Sequence, residues 1–248
     1  GFEDLNNGDV LSATNSGSHY EWAMLSYYGR LNYNYLERYL LEVNSRFDAS
    51  TRFKGKNQWG YFPSVSAGWR ISEEPFFQNI KNSINDLKLR GSYGTLGNQA
   101  IGSYYPYAAA IYSGQGYWFD YNQGTGVAQT EVANENISWE KSRQFNVGLD
   151  AQLFDSRLGL TVDVFRRKTY DMLQRFPIPS YVALTPPWEN RGDIENKGGD
   201  VSATWKDQIN DFNYSITANV TDIRNKALNL YGNEYIDGIY TTREGEAL

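Results

Sequence analysis

The feature that most constrains this chain is a strict alternation of apolar and polar residues, in places held for nine to eleven residues at a time. In "LSYYGRLNYNY", Leu25, Tyr27, Gly29, Leu31, Tyr33 and Tyr35 fall on one side. Ser26, Tyr28, Arg30, Asn32 and Asn34 fall on the other. A period of two means extended strand, because successive side chains point to opposite faces. After a break at Glu37-Arg38 the pattern resumes: Tyr39, Leu41, Val43, Ser45 and Phe47 stand against Leu40, Glu42, Asn44, Arg46 and Asp48. Two such runs joined so tightly predict an antiparallel hairpin.

The same signature predicts six more strands. Their apolar rows are Val65 to Ile71, Leu87 to Tyr93, Phe145 to Leu153, Leu158 to Val164 (with Phe165 an exception on the polar side), Val201 to Trp205, and Phe212 to Val220. Only Pro75 to Asn85 leaves room for a helical turn. Several runs exceed the five or six residues usual in soluble sheets and reach the length a tilted membrane strand needs. The polar faces carry charges in mid-strand, at Arg30, Glu42, Arg46, Lys88, Arg90, Asp150 and Asp163. Charges opposite an apolar row suit a wide, wet or plugged lumen rather than a dry interior. The competing fold is a soluble all-β domain whose apolar face packs on a second sheet.

The connections add an independent signal. Glu37-Arg38, Phe154 to Arg157 and Asp207 to Asp211 are tight. Ala49 to Tyr61, Thr95 to Ser138, Lys168 to Asp200 and the stretch from Asp222 onward are long, and Ser72 to Asp86 is medium. In a meander, alternate connections emerge at the same end, so the long loops share one end and the tight turns the other. That asymmetry belongs to outer-membrane barrels. Composition agrees: aromatics make 16% of the chain, beside 23 glycines and a net charge of −6. Mean hydropathy is −0.61. Trp22, Tyr39, Phe47, Trp59, Phe62, Trp69, Tyr93, Trp139 and Phe212 lie near strand ends, where interfacial girdles belong.

Several functions are excluded or disfavoured. There is no cysteine, and the one histidine, His19, has no partner of its own kind. Lys and Arg do not gather into a long basic run, which gives no nucleic-acid footprint. No residue set resembles an enzyme site, and neither a metal nor a cofactor is expected.

The strands "LSYYGRLNYNYLERYLLEVNSRFDASTRF", "WGYFPSVSAGWRISEEPFF", "LKLRGSYGTLGNQAIGSYYPY" and "ISWEKSRQFNVGLDAQLFDSRLGLTVDVFRRKTYDML" resemble the SusC/RagA family of TonB-dependent outer-membrane transporters of Bacteroidota. "RGDIENKGGDVSATW" continues the resemblance, with Gly199-Asp200 in place of the family's apolar-Glu pair. The resemblance implies that residues 1–248 are part of a transmembrane antiparallel β-barrel of about 22 strands. It places the plug, the TonB box and the last strands outside this segment. It further implies import of oligosaccharides or peptides across the outer membrane, with the TonB complex and a SusD-like surface lipoprotein as partners. The alternative is a surface or secreted β-domain that binds glycan through aromatic loops without transporting it.

Candidate ligand contacts cluster in the Thr95–Ser138 loop: Tyr104, Tyr105, Tyr107, Tyr112, Tyr117, Trp118, Phe119 and Tyr121, with Gln99, Gln115, Asp120 and Asn122 among them. Aromatic faces stack on sugar rings or grip peptide side chains. Loop-to-loop packing is the structural alternative for each. On the inner face, Arg30, Glu42, Arg46, Asp48, Lys88 and Arg90 are candidate contacts to a plug. The proline-rich loop from Lys168 to Asp200 reads as a stiff rim.

Overall fold

The computed structural model describes residues 19–109, 111–232, 234–237 and 240–247. Eight long strands form one antiparallel meander: β1 (Met24–Tyr35), β2 (Tyr39–Ser50), β4 (Ser64–Arg70), β5 (Ile84–Asn98), β8 (Glu140–Leu153), β9 (Leu158–Tyr170), β12 (Asp193–Ile209) and β13 (Phe212–Asn229). A short β3 (Trp59–Tyr61) adds to β2. All eight expected strands are present, in sequence order, as a single sheet rather than two facing ones. Among the described residues β1 pairs only with β2 and β13 only with β12, so the sheet does not close on itself.

Register shows the two faces directly. One hydrogen-bonded row runs across the whole sheet through Tyr35, Tyr39, Trp69, Leu89, Leu149, Val162, Val201 and Val220. Every member is apolar or aromatic. The expected parity therefore holds: Leu31 stands opposite Val43 and Leu149 opposite Val162, while Asn32, Asn146, Asp163 and Thr217 lie on the other face. The apolar face is bare, with Ile216 65% and Val220 69% exposed. An apolar surface of this extent demands a covering phase.

The apolar belt crosses these rows obliquely. Tyr35 is the turn-end limit of the β1 belt, which reaches up to Leu25, whereas Val220 in the same row is the loop-end limit of the β13 belt. The belt therefore shifts by about ten residues over seven strand steps, roughly 1.4 residues per step. With a rise of about 3.3 Å and a strand spacing of about 4.8 Å, that is a tilt of roughly 45°, at the upper end of the range for membrane barrels.

At the turn end, the connection between β4 and β5 forms two 3-10 turns, Ile71–Glu73 and Pro75–Ile80. It is anchored by one buried carboxylate. Glu74 accepts hydrogen bonds from the Tyr39 hydroxyl at 2.6 Å and the Trp69 indole at 3.1 Å, with Arg38 at 3.7 Å. Below it, Ser72 donates to Asp86 at 2.5 Å.

The buried core lies at the loop end instead. Phe53, Phe62, Ile101, Ile137, Trp139 and Leu173 form one cluster drawn from three different connections. Two residues expected in an interfacial girdle, Phe62 and Trp139, thus belong to this core. Their rings meet edge-on at 5.3 Å, and the Trp139 indole donates to the Gln58 carbonyl. Position near a strand end did not separate them from Trp59, Trp69 or Phe212, which are exposed.

Two outcomes test these faces. Leu149 is the middle of the five apolar outer positions of β8, so Leu149→Arg should cost roughly 2–4 kcal/mol in a bilayer, and Gln152→Arg much less. Chemical denaturation of the intact protein in lipid vesicles reads both. Hydrogen bonds from Tyr39 first, then Trp69, hold the Glu74 carboxyl below the usual carboxylate range. A depressed folded-state value adds stability above the unfolded pKa, which is lost as pH falls through the folded one. Thermal stability should therefore decline on acidification below about pH 4, and Glu74→Gln should flatten that part of the profile.

Candidate functional site

Three layers build the candidate site: an inner wall, a packed rim and a projecting hairpin. The inner wall carries the six expected charges, and five of them are paired. Arg30 donates to Asn44 at 2.8 Å, and Asn44 in turn donates to Glu42 at 2.7 Å. Arg46 holds Asp48 at 2.8 Å. Arg90 bridges two strands, reaching Asp150 on β8 at 3.0 Å and Asp163 on β9 at 2.6 Å. A glycine makes that bridge possible: a Cβ on Gly148 would lie 2.5 Å from the Arg90 guanidinium carbon and 2.7 Å from Asp163. Lys88 has no acid within ion-pair distance among the described residues; its stem runs beside Gly68. Asp150 and Asp163 were legible only as inner-face charges, because their link to Arg90 depends on register.

The rim is where the structure departs most from expectation. The Thr95–Ser138 segment is not one long loop. β5 continues to Asn98, and a hairpin of β6 (Ile111–Phe119) and β7 (Asn122–Gln129) rises from the remainder. The hairpin turns at Asp120 and Tyr121, both at positive φ (48° and 61°), which fits the twist of a tight two-residue hairpin turn. The Lys168–Asp200 loop shrinks likewise, as β9 and β12 extend to Tyr170 and from Asp193, and it holds a small ladder of β10 (Leu173–Arg175) and β11 (Trp188–Asn190).

The two loops are sewn together. Asn190 accepts from the Ser138 amide at 2.7 Å and donates to the Ser138 carbonyl at 2.8 Å, and Asn134 donates to the Trp188 carbonyl. Arg175 stacks on Trp188 at 5.0 Å and pairs with Glu131.

Six of the eight candidate aromatics separate into two groups. Tyr104 stacks on Tyr20 at 4.2 Å and shares the Arg52 guanidinium with Trp22, each ring centroid at 5.4 Å. The Tyr105 hydroxyl accepts from the Glu21 amide and donates to its carbonyl, and Tyr107 packs on the rim core. These three are fasteners. Tyr112, Trp118 and Tyr121 sit on the hairpin instead, Trp118 68% and Tyr121 95% exposed. The side chains of Tyr117 and Phe119 lie outside the described residues. Asn122 donates to the Asp120 carbonyl and helps to shape the turn.

An open, oblique-belted meander with a charged inner wall and a folded rim narrows the field, and comparison decides it. The family model described as TonB dependent receptor-like, beta-barrel matches residues 2–243. The chain belongs to the TonB-dependent receptor family. Within that family it is similar to the SusC/RagA members. It is 34% identical over 230 residues to TonB-dependent receptor SusC of Bacteroides thetaiotaomicron, covering 91% of this chain and 22% of that protein. A TonB-dependent receptor of Formosa agariphila is 33% identical over 238 residues, covering 96% of this chain and 24% of the relative. The solved structure of the RagAB peptide transporter superposes with a TM-score of 0.81 at 32% identity, over 94% of this chain and 26% of that one. This chain thus spans about a quarter of the relatives it matches. It is an outer-membrane β-barrel polypeptide.

The rim yields its own test. A Cβ on Gly97 would lie 2.0 Å from the buried Phe62 ring, whereas one on Gly29 would meet nothing within 4 Å. Gly97→Ala should therefore destabilise by about 1–3 kcal/mol through overpacking, while Gly29→Ala stays within about 0.5 kcal/mol. Thermal unfolding of the full receptor in detergent distinguishes them.

Proposed function

We propose that these residues form part of the wall and mouth of an importer that carries an oligomeric nutrient across the outer membrane. In this reading residues 1–248 belong to a barrel domain of about 22 strands. Further strands pair with β1 and β13, whose edges are open, because lipid leaves no unpaired backbone at a sheet edge. A plug fills the lumen and meets the charged wall around Arg30, Glu42, Arg46, Asp48, Lys88 and Arg90. A SusD-like lipoprotein covers the mouth, and the TonB complex drives release.

The observation that carries the reading is the division of labour among the loop aromatics. Tyr104, Tyr105 and Tyr107 are committed to holding the rim, whereas Tyr112, Trp118 and Tyr121 are presented to solvent on a hairpin above it. Flat, exposed rings held on a rigid base suit capture of a ligand with faces of its own. The likeness to the RagAB peptide transporter favours peptides as cargo, and the exposed Trp and Tyr faces also suit oligosaccharides.

The test uses the intact receptor with its lipoprotein. Replacing Tyr112, Trp118 and Tyr121 together by Ala should weaken cargo binding about tenfold or more, each aromatic contact contributing roughly 0.5–1.5 kcal/mol. Isothermal titration against peptide and oligosaccharide pools also selects the cargo class. Unchanged binding of both pools would refute the capture role. Release of the receptor from membranes by buffer without detergent would refute the transporter as a whole.

A further inference from the structure

Above the apolar belt, the outer face of β8, β9, β12 and β13 changes character abruptly. The second outward-facing row beyond Val162, Val201 and Val220 is Phe145, Arg166, Lys197, Arg224. The next outer row is Arg143, Lys168, Glu195, Lys226. Three cations on adjacent strands thus stand directly opposite one another, an arrangement that is destabilising in a sheet unless an anion intervenes.

The protein answers only part of this charge. Glu195 takes Arg166 at 2.6 Å, Asp193 takes Lys168 at 3.0 Å, and Asp222 lies 3.3 Å from Arg224 in an exposed pair. Lys197, flanked by Arg166 and Arg224, and Lys226 have no acid within ion-pair distance among the described residues. On the inner wall Arg30, Arg46 and Arg90 have partners, and Lys88, unpaired among the described residues, stands between Arg70 and Asp150 rather than between two cations. At the loop end of β1 and β2 the outer face carries stacked rings instead: Phe47 lies on Tyr61 at 4.4 Å, and Tyr27 on Trp59 at 6.3 Å. The basic surface is therefore confined to one side of the sheet. It sits at the level where the apolar belt ends.

We propose that this surface binds the phosphate-bearing headgroup of an outer-leaflet lipid, with Lys197, Arg224 and Lys226 on the phosphate and the acyl chains along Val164, Val201 and Val220. Charge complementarity and continuity with the belt select a lipid over a free anion, because a phosphate held here places its chains on apolar side chains. The inference rests on the reading that the belt faces the membrane.

The experiment uses the intact receptor in detergent and native mass spectrometry. The probes are diphosphoryl lipid A, its dephosphorylated form and inorganic phosphate. Diphosphoryl lipid A should bind at least about tenfold more tightly than the dephosphorylated form, the size of one charge-assisted contact. Lys197→Gln/Arg224→Gln should abolish that preference, and Lys197→Arg/Arg224→Lys should retain it. Raising the salt concentration should weaken binding to the unmutated protein, which keeps the test decisive if the Gln variant fails to fold. Equal binding of both lipids would overturn the proposal, and so would displacement by millimolar inorganic phosphate. Labelling a Val201→Cys variant with a lipid-soluble reagent separates the two failures. Labelling without phosphate preference rejects the headgroup site alone, and no labelling rejects the membrane-facing belt beneath it.

Discussion

A backbone immersed in hydrocarbon has no water to satisfy its N–H and C=O groups, so each strand must find a neighbour on both sides. The rest of this structure follows from that requirement. It forces long, continuous ladders, and it makes the side-chain parity of each strand a choice between lipid and lumen. Because one row links Tyr35 to Val220 through eight strands, the parity chosen by any strand is imposed on all the others. The tilt of the belt and the open edges of β1 and β13 are consequences of the same ladder.

With the backbone committed, function is left to what projects from the ends and the inner face. On the inner wall Arg30, Arg46 and Arg90 are each paired, which lowers the cost of desolvated charge beside a plug or cargo. The loop end holds the only buried apolar cluster among the described residues, and this turns long connections into a rigid collar. The hairpin stands on that collar. A site built this way is positioned by packing, not by the strands themselves.

The strand number, their order and the alternation of long and tight connections were legible in the sequence, because lipid on one face leaves a period-two trace. The trace ends where lipid ends. Strand segments 168–170, 193–200 and 222–229 read as loop in the sequence because their outer positions turn to Lys168, Lys197, Asp222 and Arg224, so both faces become polar although the ladder continues. Phe62 and Trp139 were placed with the girdle because an aromatic near a strand end looks the same whether it faces lipid or a loop core. The hairpin was hidden by its glycines, which erase alternation. The one local signal was Asp120-Tyr121 between two aromatic and glycine-bearing runs. The division of the tyrosines into fasteners and exposed rings depends on contacts with Tyr20, Glu21 and Trp22, and no local pattern encodes those.

The rim core also orders events in time. Every ladder in the meander joins successive long strands, and hairpins such as β1–β2, β8–β9 and β12–β13 close small loops and form early. Phe53 and Leu173 are about 120 residues apart, and their cluster needs three connections in place at once. The collar can assemble only after β9 has docked, so its formation reports that the four ladders from β2 to β9 are already correct. A chain with a slipped strand would leave Phe53, Ile137 and Trp139 open to water, and a folding factor or protease could read that exposure as unfinished assembly.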